Sequence, residues 1–245
     1  MIPPTISIIT VVFNGSAHIG ETIESVLSQS YSHIEYLIID GGSTDGTTDV
    51  IDRYRSQLSH VTSEPDQGIY DAMNKALRAA TGDYVWFINA GDTIHSEETV
   101  SQIFQAPQSD IYYGHVALKR DDRLINTLKA PVTLCWRDMY KGMIFSHQSF
   151  IVRRSLVQQY DLQYQYIADY DWIIEALKRA EIIQFVDQPL SNYLLGGYSE
   201  QNFGGVWRDR FTIARRHFSG FRLGMQYYFF AKALAKWLVK RVLFK

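Results

Sequence analysis

The sequence predicts an α/β fold: a doubly wound, mostly parallel sheet with a smaller antiparallel element and C-terminal helices. In about the first hundred residues, β-branched apolar runs alternate four times with segments of helical spacing. The connections between them are short, and parallel strands joined in this way take right-handed crossovers. A polar residue follows each run, and the four are Asn14, Asp40, Asp66 and Asp92. Because the carboxyl ends of parallel strands share one sheet edge, we expect these four to converge there.

The first part of the chain carries the parallel strands and their helices. The run Ile6–Phe13 is nearly continuous and β-branched, which indicates a strand buried on both faces. The run Tyr84–Asp92 has the same character until it ends in Asn-Ala-Gly-Asp. Strands are predicted at 6–13, 33–40 and 60–64, with a fourth that begins at 84 and ends before Asp92, and helices at 19–27, 47–58 and 69–80, with a further helix starting at 93–98.

The alternation breaks after residue 105. The segments Asp110–Leu118 and Arg123–Lys129 are typical of an antiparallel pair joined by a tight turn. A strand is predicted at Phe145–Val152, carrying Ser146, His147 and Gln148. The remaining predictions are an amphipathic helix at 167–180, an extended segment at 182–195, and two helices at 201–219 and 222–243.

The composition is that of a globular protein with a full core, since 46% of the 245 residues are hydrophobic and 20% are charged. The single cysteine, Cys135, excludes an intrachain disulfide and fits a reducing compartment. The N-terminus lacks the basic region of a signal peptide, and no apolar run approaches the ~20 residues of a membrane span. We therefore expect a cytoplasmic protein.

The charge is distributed unevenly along the chain. Residues 207–245 carry ten Lys or Arg against one acid, a net charge of +9, which leaves −11 on the rest because the whole chain carries −2. Lys232, Lys236 and Lys240 recur every four residues and so share one helical face. The opposing face is apolar and consists of Leu234, Trp237, Leu238, Val242 and Leu243. A basic amphipathic helix with aromatic residues favours an anionic membrane interface; the alternative is a helix packed on the body or on a second subunit as a homodimer. We expect no nucleic-acid partner.

The strand ends carry the candidate chemistry. No Gly-x-Gly-x-x-Gly or Walker loop follows the first strand, which disfavours dinucleotide dehydrogenases and P-loop NTPases. Asp40 at the sheet edge could accept the imide N–H of uracil, whereas Asp45 is interpreted as a helix cap. Asp92 follows a buried strand next to a flexible Gly91, where a carboxylate would suit Mg²⁺ or Mn²⁺. The alternative for Asp92 is a turn followed by a helix cap.

Four segments together resemble the family 2 glycosyltransferases, which have the GT-A nucleotide-sugar fold. They are Ile8–Asn14, Ser25–Tyr31, Ile39–Gly46 and Gly82–Asp92. The resemblance covers about residues 5–105 closely and about 145–200 more loosely. The segment Ser63–Lys75 is similar to the subgroup from bacterial surface-polysaccharide, O-antigen and colanic-acid clusters.

The resemblance implies a domain at 1–200, with a nucleotide-binding half at 1–105 and an acceptor half at 106–200, followed by basic amphipathic helices at 201–245. It places Asp92 as the last carboxylate of an Asp-x-Asp-like metal motif whose upstream position holds Asn89 or Gly91. The metal would then be bound largely through the substrate diphosphate. The residues implied in nucleotide binding are Thr10, Val12, Phe13, Asn14, Asp40, Asp66, Gly68, Asp71, Asn74, Lys75, Asn89, Ala90 and Gly91. For Lys75 the alternative is a solvated helix residue.

The resemblance also implies a catalytic base at the start of a helix in the second half, usually written Glu-Asp. Asp169 takes the Asp position and Ala168 replaces the Glu. Asp171 is the second candidate acid, although two acids two residues apart on a helix cannot face the same way, and both could simply favour the helix dipole. Candidate diphosphate or acceptor contacts are His147, Gln148, Asp171, Gly197 and Ser199. The alternatives are a hydrogen-bonded core histidine and a plain turn at Gly197 and Ser199.

Together these features imply an inverting, metal-dependent enzyme that moves one sugar from a UDP-sugar to a hydroxyl of a lipid-linked glycan at the inner face of the cell membrane. The Gln-x-x-Arg-Trp sequence of processive synthases is absent, which predicts one sugar per encounter. Two alternatives stay open. One is a sugar-nucleotide nucleotidyltransferase, and the other is a non-catalytic module that binds nucleotide-sugars.

Overall fold

The structure, a computed structural model, describes residues 3–120, 123–195 and 202–243, with side chains as far as residue 235. Strands and helices alternate through the first part of the chain, as the sequence predicts. The strands of the described residues are β1 (Ile6–Val12), β2 (Ile34–Asp40), β3 (His60–Ser63), β4 (Tyr84–Phe87), β5 (Thr93–Ile94), β6 (Ile111–Arg120), β7 (Arg123–Leu128), β8 (Phe150–Arg153) and β9 (Ile183–Leu194). The helices are α1 (Ile19–Leu27), α2 (Thr47–Asp52), α3 (Ile69–Ala79), α4 (Thr99–Gln105), α5 (Ala168–Arg179), α6 (Phe203–His217) and α7 (Gly220–Leu243).

The described strands form one sheet in the order β3-β2-β1-β4-β8-β6-β9-β5, with β7 attached to β6. Strands β1 to β4 are parallel, whereas β8 lies antiparallel between β4 and β6. Strand β9 is parallel to β6. Because the direction reverses twice between β4 and β6, the strands β6 and β9 run the same way as β1. The carboxyl ends of both parts of the sheet therefore meet at one edge.

Each central strand contributes to two apolar cores, one on each face of the sheet. In β1 all seven residues are buried. Ile6 and Ile8 join the core under α1 and α4, while Ile9 and Val11 join the core under α3 and α5. Burial of each such side chain contributes about 1.5–3 kcal/mol. The continuous apolar run in the sequence thus reflects burial on both faces.

Three predicted elements differ from the structure in their bounds. The helix predicted at 47–58 ends at Asp52 and is followed by a 3-10 turn at Arg55–Gln57. The helix expected from residue 93 is wrong there: Thr93 and Ile94 form β5, which pairs with the end of β9, and α4 begins at Thr99. Residues 93–94 thus pair with β9 and do not start a helix. The side chain of Asn192 in β9 supports this pairing, since its Nδ2 donates to Thr93 Oγ1 (2.8 Å).

The strand predicted at 145–152 is also wrong in its first part. Residues His147–Ser149 form a 3-10 turn, and β8 begins at Phe150. The polar residues leave the strand because their partners lie on other elements. Trp86 Nε1 donates to the Gln148 carbonyl (2.8 Å), and Ser149 Oγ donates to the His115 carbonyl (2.7 Å).

The two C-terminal helices pack on the body. Helix α6 lies against α5, and Asp209 of α6 accepts a hydrogen bond from the Tyr166 backbone amide (2.9 Å). Helix α7 packs on the 3-10 turn Trp136–Lys141 through Gln226, whose side chain is fully buried. Neither of them, nor any other helix in the described ranges, combines the length and the apolar character needed to cross a membrane.

Candidate active site

The first candidate carboxylate, Asp92, lies in the turn that follows β4. The turn is closed by the Asp92 amide, which donates to the Asn89 carbonyl (2.9 Å), and Gly91 takes a left-handed conformation with φ of +97°. Thr22 Oγ1 accepts from the Gly91 amide (3.0 Å) and donates to the Asp92 carbonyl (2.8 Å). These bonds direct the Asp92 side chain inward toward Leu194 and Gln148.

The Asp92 carboxylate is held by two donors, and among the described residues it forms no ion pair. The Leu194 amide donates to Oδ1 (3.0 Å), and Gln148 Nε2 donates to Oδ2 (3.1 Å). Only 4% of the residue is exposed. Burial raises the pKa of Asp92 to about 7, against the lowering effects of the Leu194 bond, the His147 charge and the Gln148 bond. A cation beside this carboxylate would therefore favour its ionised form.

The residues around Asp92 fit a divalent cation that takes most of its ligands from elsewhere. Asn89 Oδ1 is buried and has no hydrogen-bond partner among the residues that the structure describes, so a second hard oxygen is available in the same turn. In the part of the chain that the structure describes, no group of three or more His, Cys, Asp or Glu could hold a metal ion. The chain thus supplies a carboxylate and an amide oxygen, which suits Mg²⁺ or Mn²⁺ bound mainly to a diphosphate.

The second candidate carboxylate, Asp169, lies in the first turn of α5. The Tyr70 hydroxyl has two acceptors for its one hydrogen, Oδ1 (3.1 Å) and the Tyr166 carbonyl (3.0 Å), and Oδ2 lies 3.1 Å from His147 Nδ1. Burial lowers the pKa of His147, but the hydrogen bond and the charge of Asp169 and the charge of Asp92 outweigh it, so the net pKa is raised. A buried carboxylate with a histidine partner is suited to exchange a proton.

Asp171 faces away from Asp169, as predicted for two acids two residues apart. His217 Nε2 lies 2.6 Å from Asp171 Oδ1, and Arg216 Nη1 lies 3.1 Å from Oδ2. Both partners belong to α6. Asp171 thus joins α5 to α6, and its expected contact with the diphosphate or the acceptor stays a prediction.

An open shelf lies at the ends of β1 and β2. The Phe13 ring is 64% exposed, and Asn14 takes a left-handed conformation with φ of 50°. The Thr44 amide donates to Asn14 Oδ1 (3.0 Å), which ties the two loops together. At Gly41 a Cβ atom would press on Asp66 Oδ2 and approach the Phe13 ring to 3.4 Å. The glycine therefore lets the Asp66 carboxylate lie close to the backbone, beside an exposed aromatic ring on which a planar base could stack.

Asp40 lies beneath this shelf and is fully buried. Its Oδ2 accepts from the Ser43 amide (3.0 Å) and the Ser63 hydroxyl (2.6 Å), and its Oδ1 accepts from the Ser43 hydroxyl. These bonds fix the loop between β2 and α2. Its contact with uracil stays a prediction, and a base would have to share a carboxylate that three donors already contact.

Several residues expected to bind the nucleotide have partners within the protein. Thr10 Oγ1 donates to the Ile88 carbonyl (2.8 Å) and lies 2.9 Å from the Tyr36 hydroxyl. Asn74 makes two bonds to the Tyr160 backbone, 2.7 Å at the amide and 2.9 Å at the carbonyl. Val12 is buried in the core.

The loop before α3 is tied by local bonds. Lys75 Nζ donates to the Pro65 carbonyl (2.9 Å) and lies 3.0 Å from Glu64 Oε1, so this side chain is not solvated as the alternative held. The Gln67 amide donates to Asp71 Oδ2 (3.1 Å), and the Gly68 amide donates to Asp66 Oδ1 (2.9 Å). Asp66 is the member of this loop that borders the shelf.

Of the other expected contacts, Ala90 lies in the turn with Asn89 and Asp92, where its amide donates to the Val11 carbonyl (3.2 Å). Gly197 and Ser199 lie outside the described residues. The site also contains Tyr70 and the Leu194 amide, which sequence reasoning missed. No local pattern marks them, since they act through carboxylates about a hundred positions away in the chain.

The comparison with protein families gives one match over most of the chain. The model of the family described as Glycosyl transferase family 2 matches residues 7–160. An uncharacterized glycosyltransferase of Mycobacterium tuberculosis is 33% identical over 184 residues, which are 71% of this chain and 69% of that protein. The putative teichuronic acid biosynthesis glycosyltransferase TuaG of Bacillus subtilis is 31% identical over 163 residues, which are 64% of this chain and 65% of that protein.

Two solved structures show the same fold. TarS of S. aureus, as residues 1–349 with UDP, is 19% identical with a TM-score of 0.68, over 86% of this chain and 64% of that one. The chain thus spans slightly less than two thirds of the TarS fragment. The mannosyltransferase PcManGT from Pyrobaculum calidifontis, with GDP-Man and Mn²⁺, is 18% identical with a TM-score of 0.60, over 89% of this chain and 66% of that one. At these identities the likeness shows the fold alone, which is GT-A.

Proposed function

Because the chain belongs to glycosyl transferase family 2, we propose that it transfers one sugar from a UDP-sugar to a hydroxyl group of a lipid-linked glycan, with inversion at the anomeric carbon. We place this reaction in the synthesis of a bacterial surface polysaccharide. The relative TuaG, named for teichuronic acid biosynthesis, supports that setting.

One observation carries the proposal: two buried carboxylates, Asp92 and Asp169, both contact the turn at His147–Ser149. A single displacement at a sugar carbon requires two groups. One stabilises the charge of the leaving diphosphate, and the other takes the proton of the attacking hydroxyl. Asp92 and Asp169 are suited to these two roles, and the turn keeps them in one site.

Asp169 acts as the base. It takes the hydroxyl proton of the acceptor as the oxygen forms a bond to the anomeric carbon, while the bond from that carbon to the diphosphate oxygen breaks. Each carboxylate oxygen has two lone pairs, so the bonds from Tyr70 and His147 leave capacity for this proton. The products are the elongated glycan and UDP.

Asp92 and Asn89 would hold Mg²⁺ or Mn²⁺ together with the diphosphate. When bound, the cation neutralises charge on the leaving group. The residues support it because Asp92 is a buried carboxylate with a raised pKa and Asn89 Oδ1 has no partner. The Mn²⁺ reported with PcManGT is consistent with such a site in this fold.

Uridine is favoured as the nucleotide. TarS has been solved with UDP and with UDP-GlcNAc, whereas PcManGT, the less similar of the two by TM-score, was solved with GDP-Man. The exposed Phe13 ring, which lies beside Gly41 and Asp66, is suited to stack on the planar base of such a nucleotide. The transferred sugar is left open.

The direct test is to incubate the protein with UDP-, GDP- and dTDP-sugars and measure the nucleoside diphosphate that is released. We expect UDP release that requires Mg²⁺ or Mn²⁺. Asp169→Asn should reduce turnover by about 100-fold or more while UDP binding is retained. Release of pyrophosphate would point to a nucleotidyltransferase, and UDP binding without turnover on any acceptor would point to a binding module.

We also propose that α7 contacts an anionic membrane, which would bring the site close to a lipid-linked acceptor. Its buried side packs on the body, as the alternative held, yet Phe221 and Tyr228 are 75% and 56% exposed. Arg222 and Lys232 are exposed on the same helix. Aromatic rings next to cations suit the headgroup region.

Liposome co-sedimentation tests the membrane contact. The double variant Phe221→Ser, Tyr228→Ser should bind vesicles that contain anionic lipid several-fold more weakly than the wild type. Ile182→Ser is the matched control, since Ile182 is similarly exposed (55%) but lies just before β9 and not on α7. Equal sedimentation of the double variant and the wild type would contradict the proposal.

A further inference from the structure

We infer that His147 is a positioning residue for Asp169: it holds the base in place from a rigid turn whose next residue holds Asp92. The inference rests on the proposed function and adds a role that is distinct from a contact with the diphosphate. The turn would thus set the base and the leaving-group site in a fixed relation to each other.

Two adjacent side chains of the turn each contact one of the two carboxylates. His147 Nδ1 lies 3.1 Å from Asp169 Oδ2, and Gln148 Nε2 donates to Asp92 Oδ2 (3.1 Å). Asp169 belongs to α5, and Asp92 belongs to the turn after β4. Two carboxylates from distant parts of the chain therefore contact the side chains of two consecutive residues. The Cα atoms of these two residues are about 3.8 Å apart.

The turn itself is held in place by hydrogen bonds to other elements. The Gln148 carbonyl accepts from Trp86 Nε1 (2.8 Å), and Ser149 Oγ donates to the His115 carbonyl (2.7 Å). The Ser149 amide closes the turn by donating to the Ser146 carbonyl (3.0 Å). Gln148 and Ser149 are both buried. A side chain on such a support holds its partner to within a small range of positions.

The two ring nitrogens of His147 differ in how closely they contact their partners. Nε2 lies 3.4 Å from Asn89 Nδ2, a longer contact than the 3.1 Å between Nδ1 and Asp169. If the ring is neutral, Nδ1–H donates to Asp169 and Nε2 accepts from Asn89. If the ring is charged, Nδ1–H still donates to Asp169. The bond to Asp169 is common to both states.

Two substitutions separate positioning from diphosphate binding. The amide nitrogen of Asn can take the place of Nδ1, whereas the longer Gln can place its nitrogen near Nε2. For positioning of Asp169, His147→Asn should keep kcat within about tenfold of the wild type, and His147→Gln should lower kcat by about 10–100-fold. UDP affinity measured by calorimetry with Mn²⁺, and the KM for the donor, should change less than about twofold in both variants.

The opposite pattern would overturn the inference: kcat retained in His147→Gln, with weaker UDP binding in His147→Asn, means that the ring serves the diphosphate. Equal kcat in the wild type and both variants would also overturn it. A wild type that transfers no sugar from any nucleotide-sugar would instead contradict the proposed function itself. Histidine ¹⁵N spectra of the wild type give a reading that does not depend on variants, since the inference requires a proton on His147 Nδ1 and a ring with an unprotonated Nδ1 refutes it.

Discussion

At the scale of single residues, the buried acids of this protein differ in how their charge is balanced. Asp171 has two basic partners, His217 and Arg216, within hydrogen-bond distance. Asp92 is similarly buried, but within the described ranges its carboxylate is contacted only by the side-chain amide of Gln148 and a backbone N–H. An uncompensated buried charge destabilises the fold, and residues of this kind concentrate at functional sites.

Replacement of Asp92 should reveal this cost. The pKa of about 7 lies some three units above the ordinary value of 3.8. The native state therefore binds more protons than the unfolded state between about pH 4 and pH 7, and the free energy of unfolding falls as the pH rises through this window, by roughly 4 kcal/mol. Asp92→Asn removes this titration. The free energy of unfolding of the variant, measured in urea, should therefore fall less between pH 5 and pH 8 than that of the wild type.

Asp49→Asn is the control for that experiment, because Asp49 is an exposed acid of α2 and should leave the pH dependence unchanged. At pH 8, Mn²⁺ with UDP should raise the melting temperature of the wild type but not that of Asp92→Asn. A variant that keeps the wild-type pH dependence would show that Asp92 is ionised in the fold without cost.

Asp171→Asn should have the opposite character. It removes the shortest carboxylate contact of the fully buried His217 and of Arg216 and leaves them Glu175 (3.5 Å) and Asp161 (3.7 Å), so the cost should be up to about the 3–5 kcal/mol of a broken buried ion pair. Urea unfolding should show this loss. Asp169→Asn, two residues earlier, leaves no arginine unpaired and should lose much less stability while it loses turnover. Equal destabilisation by the two changes would contradict the division of roles.

At the scale of elements, helix α6 depends on a close approach to the segment before α5. A Cβ atom at Gly205 would lie 2.6 Å from Tyr166 Cδ2, whereas a Cβ atom at the neighbouring Gly204 would meet nothing within 4 Å. The two glycines lie in the first turn of the same helix, so they form a matched pair.

Gly205→Ala should destabilise the protein by about 1–3 kcal/mol, because the Tyr166 ring has to move. Gly204→Ala should stabilise it by up to about 1 kcal/mol, because alanine favours the helix. The free energy of unfolding in urea measures both. Shifts of the same sign would mean that α6 does not pack against Tyr166 in this way.

The turn at His147–Ser149 shows what the sequence can and cannot predict about an element. The local pattern suggested a strand from Phe145, since apolar residues stand at both ends of the run. The polar residues between them instead meet Trp86, His115 and Asp92. Such partners are distant in the chain, and no local periodicity reports them.

At the scale of the whole molecule, the order of strands and helices was predicted well because it depends on local apolar periodicity and on short connections. For the same reason the sequence predicts that Asn14, Asp40 and Asp92 lie at one edge of the sheet. It did not show which side chains of this edge are taken up by internal bonds, as Thr10 and Asn74 are. That outcome depends on packing between segments far apart in sequence.

The single sheet also predicts how the chain behaves when divided. In the full chain, β8 pairs with one edge of β4, and Phe87 packs edge-on against Trp172. A fragment of residues 1–105 lacks β8 and Trp172, so this edge of β4 would be unpaired and Phe87 would be exposed. We expect this fragment to show no cooperative unfolding transition by circular dichroism, whereas the full chain does. A sharp two-state transition in the fragment would mean that the first part folds independently.

The reversed strand β8 between β4 and β6 has a consequence for synthesis on the ribosome. The apolar edge of β4 is complete once residue 87 has emerged, but its neighbour ends only at residue 153. For the time needed to translate the intervening segment, a nascent chain carries an open strand edge that can pair with other chains. Slow codons or a chaperone acting over this interval would therefore influence the yield of folded protein more than changes near either terminus.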